Sequence, residues 1–363
     1  MLKAGWNYSL NYLLEPEAMS IKKLDKKTFA DFVDNLISTE KVIAVQAKGD
    51  RFDFAPLEST KDLRLDYDVT LQPPKKYFQP PVETLVTYQM GDGYKSQYDC
   101  EKFILLGVHP YDMVALNQMD ILFSQDNYDA HYMARRNNAT VIACDVAKPS
   151  KNVFASSMGT AVVKNGYDIL LTDIGDGYVA EAATDKGRLL LEKANGAVQA
   201  SKEDLKKRQQ VWEKNEKGLN KHKLKCKPSD LPGLLEKAYT HPVWEEKART
   251  CFSCGSCNQV CPTCYCFNVQ DDVSWDMKTG KRDRIWDGCL LDGFTKVAGN
   301  HEFRKNRADR FRHRIYRKGK YVPAKIGGQI ACIGCGRCVG ACLPDIANPV
   351  NVYNRLVDDI GVK

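Results

Sequence analysis

Cysteine is the residue type in this chain with the most chemistry to offer, and two runs of it share one spacing. Cys251-Phe-Ser-Cys254-Gly-Ser-Cys257-Asn-Gln-Val-Cys261-Pro262 is answered downstream by Cys332-Ile-Gly-Cys335-Gly-Arg-Cys338-Val-Gly-Ala-Cys342. Each is a C-x2-C-x2-C-x3-C run, the spacing that holds a cubane iron–sulfur cluster. Three cysteines so close in sequence wrap one cubane only if the loop turns tightly. Gly255, Gly334 and Gly336 suit that turn because glycine accepts positive φ. In two-cluster ferredoxins the fourth cysteine of each run ligates the other run's cluster. The spacing therefore assigns Cys251, Cys254, Cys257 and Cys342 to [4Fe-4S] cluster I, and Cys332, Cys335, Cys338 and Cys261 to [4Fe-4S] cluster II. Zinc knuckles and disulfides are the competing readings. Zinc motifs rarely use four cysteines at this spacing, and here the full run occurs twice.

The elements that must position these runs follow from the rest of the chain. At 363 residues the length prior suggests two or three domains. A composition 43% hydrophobic and 27% charged describes an ordinary soluble protein with real cores. Eleven of the fourteen cysteines lie beyond residue 250, too uneven a loading for a secreted disulfide scaffold, and point to a reducing interior. No run of eighteen apolar residues occurs, so no membrane span is expected. The first residues lack the apolar core of a signal peptide, and residues 1–18 read as an N-terminal extension ahead of Met19. The expected location is cytoplasmic.

The expected fold class is α+β: an N-terminal mixed α/β domain followed by a mainly helical two-cluster ferredoxin-like domain. Residues 19–200 form the α/β platform, 201–240 a charged helical connector, and 241–363 the cluster domain. A helix from Lys26 to Leu36 places Phe29, Phe32, Val33 and Leu36 on one face, with Asp25 or Thr28 as its cap. Val42–Gln46, Phe103–Val108, Thr140–Cys144 and Asp168–Asp173 read as strands, alternating with helices from His109 and over Asp126 to Arg136. Prolines at 73, 74, 80 and 81 predict an extended surface strap. Ser201 opens a charged helix with a capping pattern. The long interval between the runs, with helical-looking stretches at Asp292–Ala298 and His301–Arg312, predicts helices there.

No G-x-G-x-x-G opens a helix after any strand, and no phosphate-binding P-loop pattern occurs. Gly175-Asp-Gly177 is better explained as a hairpin turn. A flavin or nicotinamide is therefore expected on another polypeptide. The net charge of +7 and the basic run Arg304–Lys320 raise nucleic acid as a ligand. That run carries aromatics only at Phe311 and Tyr316 and sits between cluster motifs. Compensation of the clusters' negative charge and docking to an acidic partner account for it better, and no nucleic acid is expected.

Here the residues reach a family. Cys261-Pro-Thr-Cys-Tyr-Cys-Phe267, Arg284-Ile-Trp-Asp-Gly-Cys289, His301-Glu-Phe-Arg304, Arg310-Phe-Arg-His-Arg314 and the second run resemble the two-cluster beta subunits of cytosolic sulfhydrogenases. The A subunit of anaerobic sulfite reductase is similar. In the front half, Pro73–Phe78, Gly107–Asp112, Tyr132–Arg136, Ser157-Met-Gly159 and Leu171–Gly177 carry the same likeness. The resemblance implies electron transfer, within an anaerobic complex, between a flavin-containing NAD(P)H- or ferredoxin-linked subunit and a terminal module. That module is a hydrogenase, a sulfite reductase or a heterodisulfide-reductase-like unit. Relatives often carry cysteines just before the Ser-Met-Gly segment, whereas Asn152-Val-Phe-Ala-Ser-Ser-Met-Gly159 has none.

Cys264, Cys266 and Cys289 exceed the needs of two clusters. They either line a third metal site, with His301, Cys226 or an incoming group as fourth ligand, or act as buried thiols beside the cluster sulfides. Cys100 and Cys144 read as buried, inert thiols. A self-contained iron–sulfur oxidoreductase and an iron–sulfur nucleic-acid-binding sensor are the alternatives to an electron-transfer subunit. The first would need an open catalytic position that two closed four-cysteine sites do not offer, and no catalytic residue is assigned.

Overall fold

The computed structural model describes residues 20–362; the expected extension over 1–18 lies outside them. The front half carries β1 (Ser20–Asp25), β2 (Val42–Lys48), β3 (Arg51–Pro56), β4 (Val82–Gln89), β5 (Gly93–Ser96), β6 (Phe103–Val108), β7 (Ala139–Cys144), β8 (Ile169–Asp173), β9 (Gly177–Ala182) and β10 (Val198–Gln199). All but β4 and β5 join one sheet in the order β10-β1-β9-β8-β7-β6-β2-β3. Its centre from β2 to β8 is parallel and its flanks are antiparallel. Strand β6 is buried along its whole length, as a parallel strand covered on both faces must be.

Helix α1 (Lys26–Thr39) lays Phe29, Phe32, Val33 and Leu36 on one face of the sheet. Asp25 caps it, its carboxylate accepting the Thr28 amide at 2.7 Å. Helices α2 (Pro110–Ser124) and α3 (Ala130–Asn138) cover the other face, with Met113, Leu116, Met119, Phe123 and Tyr132 in the core. Helix α3 starts later than expected because Asp129, not Asp126, supplies the cap. Short α4 (Ala155–Met158) and α5 (Asp185–Glu192) follow, then α6 (Lys202–Gly218), opened by a reciprocal Ser201–Asp204 capping box. Rather than bridging freely, α6 lies against the front sheet. Trp212 donates to Asp145 at 2.8 Å, and Arg208 pairs with Glu181 at 2.6 Å.

Two expectations change. The proline segment turns inward: Pro74–Tyr77 is a 3-10 turn, and Lys75, Phe78 and Gln79 are buried instead of strapped along the surface. Phe78 packs on Phe103 and Tyr132, and that burial outweighs the extended bias of the prolines. The back half contains α7 (Leu231–Lys237), α8 (Val243–Ala248), α9 (Ser256–Gln259), β11 (Phe267–Val273), β12 (Thr279–Trp286), β13 (Lys296–Val297), β14 (His301–Glu302), α10 (Arg307–Tyr316), α11 (Arg337–Gly340) and α12 (Pro349–Ile360). Between the cysteine runs the chain therefore carries a hairpin over 267–286, and of the two stretches expected to be helical only the second is so, in part, from Arg307. The β11–β12 hairpin adds to β4 and β5 in a second sheet, order β11-β12-β4-β5. Gly293 and Gly299 take positive φ, which interrupts the stretch from 292 to 302, and helix begins only at Arg307. Helices α7, α8, α10 and α12 share a core built on Trp244, Phe311, Tyr316 and Tyr353.

Candidate metal centre

The two runs fold alike. Gly255 and Gly336 sit at φ of 72° and 77°, each at the N-terminus of a one-turn helix, α9 or α11. The amide of Asn258 returns to the Gly255 carbonyl at 2.8 Å, and that of Val339 to Gly336 at 3.0 Å. One step earlier, Ser253 adopts the left-handed conformation that Gly334 adopts in the second run. Equal spacing has produced equal loops, and the turn is sharp enough to aim three thiols inward.

All fourteen cysteines are free thiols. Cys257 feels the charges of Cys251 and of Cys342 from the other run. Conversely, Cys261 bears electrostatically on Cys332, Cys335 and Cys338. Cys342 thus lies within electrostatic reach of Cys257, and Cys261 within reach of all three leading cysteines of the second run. Burial pushes the thiols of Cys332 and Cys257 up to about 12. Cys254 alone among the eight is exposed; a contact with the Ser256 hydroxyl at 3.3 Å lowers its pKa. It is flanked by exposed Phe252 and, beside Cys342, by Leu343 at 90% exposure. The first run therefore reaches the surface, while Cys335 and Cys338 of the second are buried.

Cations line the inner side. On α10 the spacing 310, 314 and then 318 places three basic residues along one stripe, while Phe311 and Ile315 face the core. A π-helical turn, Arg317–Tyr321, continues the helix and carries Lys318 inward. Arg310 pairs with Asp292 at 3.0 Å. Arg314 and Lys318 are buried, with no carboxylate partner among the described residues; their neighbours are Cys257, Cys338, Cys261 and Cys264. Burial pulls the Lys318 pKa down, but the charges of Cys261 and Cys264 outweigh it and hold the group protonated. An isolated buried cation is costly, so this stripe demands negative charge at the cysteines. Thiolates around iron supply it, and these residues fit such a group.

The front domain grips the second run. Arg337 forms a bidentate pair with Asp112, both bonds at 2.6 Å, and donates to Thr70. Phe154 donates to the Gly334 carbonyl at 2.7 Å, and Thr160 to that of Ile333 at 2.6 Å. Tyr111 packs in one cluster with Ile333 and Cys335. Segments 107–112 and 152–160 are therefore the seat of the cluster II loop. Sequence reasoning missed Asp112, Arg337, Lys75 and Asn258 as site residues, and named Arg314 and Lys318 only as part of the charge-compensating run 304–320. Only the Cys-Gly-Arg-Cys spelling gave a signal, for Arg337.

Of the surplus cysteines, Cys264 and Cys289 converge on one amide: Asn258 Nδ2 donates to their sulfurs at 3.5 and 3.3 Å. Cys266 lies within electrostatic reach of Cys289. The two named fourth ligands are elsewhere. Cys226 packs against the α7–α12 core beside Tyr353, and His301 is exposed, edge-on to Phe303. Among the described residues no three His, Cys, Asp or Glu groups gather around a single ion. Cys144 is buried as expected, whereas Cys100 is exposed, since it follows the surface strand β5 and not a core strand.

Comparison with known proteins agrees with this geometry. Residues 250–346 match the family described as the 4Fe-4S dicluster domain. The chain is 32% identical over 326 residues to sulfhydrogenase 2 subunit beta of Pyrococcus furiosus, covering 89% of this chain and 95% of that one.

Proposed function

The chain belongs to the sulfhydrogenase beta-subunit family, and from that premise we propose that it is the iron–sulfur electron-transfer subunit of an anaerobic, cytoplasmic oxidoreductase complex. Cys251, Cys254, Cys257 and Cys342 hold cluster I; Cys332, Cys335, Cys338 and Cys261 hold cluster II. The clusters supply one-electron transfer; the protein supplies their position and electrostatics. The observation that carries this reading is that the two runs come together, with Cys342 in electrostatic reach of Cys257 and Cys261 in reach of Cys332 and Cys335.

The residues around the sites have distinct roles. Cys254, Phe252 and Leu343 bring cluster I to the surface, where a partner can exchange electrons with it. Arg314 and Lys318 stabilise added negative charge and so favour reduction. Arg337 and Asp112 hold the cluster II loop on the platform. Electrons then pass between a flavin-bearing NAD(P)H- or ferredoxin-linked subunit and a terminal module. A hydrogenase is the first candidate, ahead of a sulfite reductase or a heterodisulfide-reductase-like unit. Among the described residues no helix is long and apolar enough to cross a membrane.

Hydride donors deliver electrons in pairs, and a flavin must split the pair before one-electron carriers take it. The isolated chain is therefore expected to be reduced by dithionite but not by NADH or NADPH. Adding its flavin-bearing partner should restore reduction by one nucleotide. Bleaching of the cluster absorbance by NAD(P)H with the chain alone and no flavin present would refute the assignment.

A further inference from the structure

We propose that Cys264, Cys266 and Cys289 hold a third iron–sulfur centre, beside cluster II and beneath the β11-β12-β4-β5 sheet. It rests on the two-cluster reading and extends it by one relay step.

Three observations converge. The first is the Asn258 side chain, 2% exposed, whose amide nitrogen spans Cys264 and Cys289 while its Oδ1 has no partner. Buried amide donors that meet only two sulfurs are costly unless those sulfurs are strong acceptors. Thiolates and bridging sulfides are such acceptors; neutral thiols are weak ones. The second is Lys75, 2% exposed, on the inward-turned 74–77 segment. Its ammonium donates to the Cys264 carbonyl and lies 4.1 Å from the centre of the Trp286 ring, with no carboxylate partner among the described residues. Lys318 and Arg314 already answer cluster II; a further buried cation over the surplus cysteines calls for a further anion. The third is contact: the Cys264 amide donates to the carbonyl of Cys261, assigned to cluster II, at 3.2 Å, so a centre on Cys264 adjoins that cluster.

Bonds to backbone carbonyls, two of them from side chains, hold the loop. Gln79 donates to the Tyr265 carbonyl at 3.2 Å, Asp287 to that of Cys266 at 3.1 Å, and Trp286 to that of Gln79 at 2.9 Å. Three thiolates suit a three-iron cluster, or a cubane with one iron bound by a non-thiolate ligand. The step is an electron transfer alone: cluster II is oxidised by one electron as the third centre is reduced, with no bond made or broken. The relay then runs from surface cluster I through cluster II to the foot of the second sheet.

The test is anaerobic iron and sulfide analysis of the reconstituted full-length chain, with Mössbauer and paramagnetic resonance spectra. About eleven or about twelve irons are expected, falling to about eight in the Cys264→Ala/Cys289→Ala variant with both cubane signals intact. About eight in both proteins would overturn the third centre and leave the two-cluster reading standing. So would stoichiometric zinc with no iron beyond about eight. About four or fewer in the parent chain would strike at the two-cluster reading itself. Lys75→Met, which leaves every cysteine in place, is expected to shift the third signal's midpoint potential negative and leave the other two unmoved. A purely structural Lys75 would move none of the three.

Discussion

Gly334 shows how much of a metal loop's fate hangs on one missing methyl group. At φ of 68°, a Cβ there would stand 2.6 Å from the backbone of Phe154 and Ala155. Gly334→Ala is expected to cost about 2–4 kcal/mol, strain and clash together, and to empty cluster II first. Gly293→Ala, also at positive φ but in open space, should cost only about 1 kcal/mol. Thermal unfolding and iron content compare the two. Cys261→Ser should abolish the resonance of cluster II while sparing that of cluster I; selective loss of the signal tied to Cys251, Cys254 and Cys257 would refute the crossing. Asp145 offers a pH signature. Burial lifts its carboxyl to about 6, against the opposing pull of bonds from Thr172 and Trp212. The folded state thus binds more protons than the unfolded one between the ordinary carboxyl value of 3.8 and about 6, and stability must fall as pH rises through that window. Between about pH 5 and about pH 7 the loss should be about 1 kcal/mol, and Asp145→Asn should flatten it in thermal scans at each pH. Sequence named the eight run cysteines and the turning glycines, because short spacing confines ligand geometry locally. It did not reveal Asp112 or Lys75, whose partners lie more than 180 positions away.

At the scale of elements, α10 and its π-helical turn explain the basic stretch. Helical spacing sends Arg310, Arg314 and Lys318 to one side, so a charge run that reads as surface is in part a lining. The stripe was legible as periodicity; the direction it faces was not, because the packing of Trp244, Phe311 and Tyr316 decides the rotation of the helix. The pair between α11 and α2 is the matching joint. Arg337 and Asp112 are both buried, their side chains 2% and 0% exposed. Arg337→Met should cost about 3–5 kcal/mol, because it leaves an unpaired buried carboxylate. The double variant Arg337→Met/Asp112→Leu should recover most of that loss. Denaturant unfolding of both variants reads the difference, and a double variant no better than the single one would show that the ion pair is not the joint.

The whole molecule behaves as two halves locked by long-range pairings. β12 pairs with β4 from Thr279–Gln89 to Ile285–Val82, and Glu83 sits between Arg135 and Arg284 beneath that seam. The second cysteine loop rests on residues 152–160. Residues 241–363 expressed alone should therefore fail to retain cluster II. In the full chain, far-ultraviolet dichroism and cluster absorbance should be lost in one coincident transition. Two separated transitions would show that the halves fold independently.

The sequence by itself determined the central parallel strands, the amphipathic face of α1, the Ser201 capping box and the cysteine runs. Each of these is written within a dozen or so neighbouring residues, where periodicity, capping and spacing act directly. Tertiary structure alone decided the rest. The β11–β12 hairpin is strand because β4 waits for it about 200 positions upstream, and the proline segment is buried because Phe78 finds Phe103 and Tyr132. The same reason governs the site. Thiols can be counted along a chain, but the cations that answer them come from two distant segments, at 75 and at 314–318, and only folding brings those charges to one place.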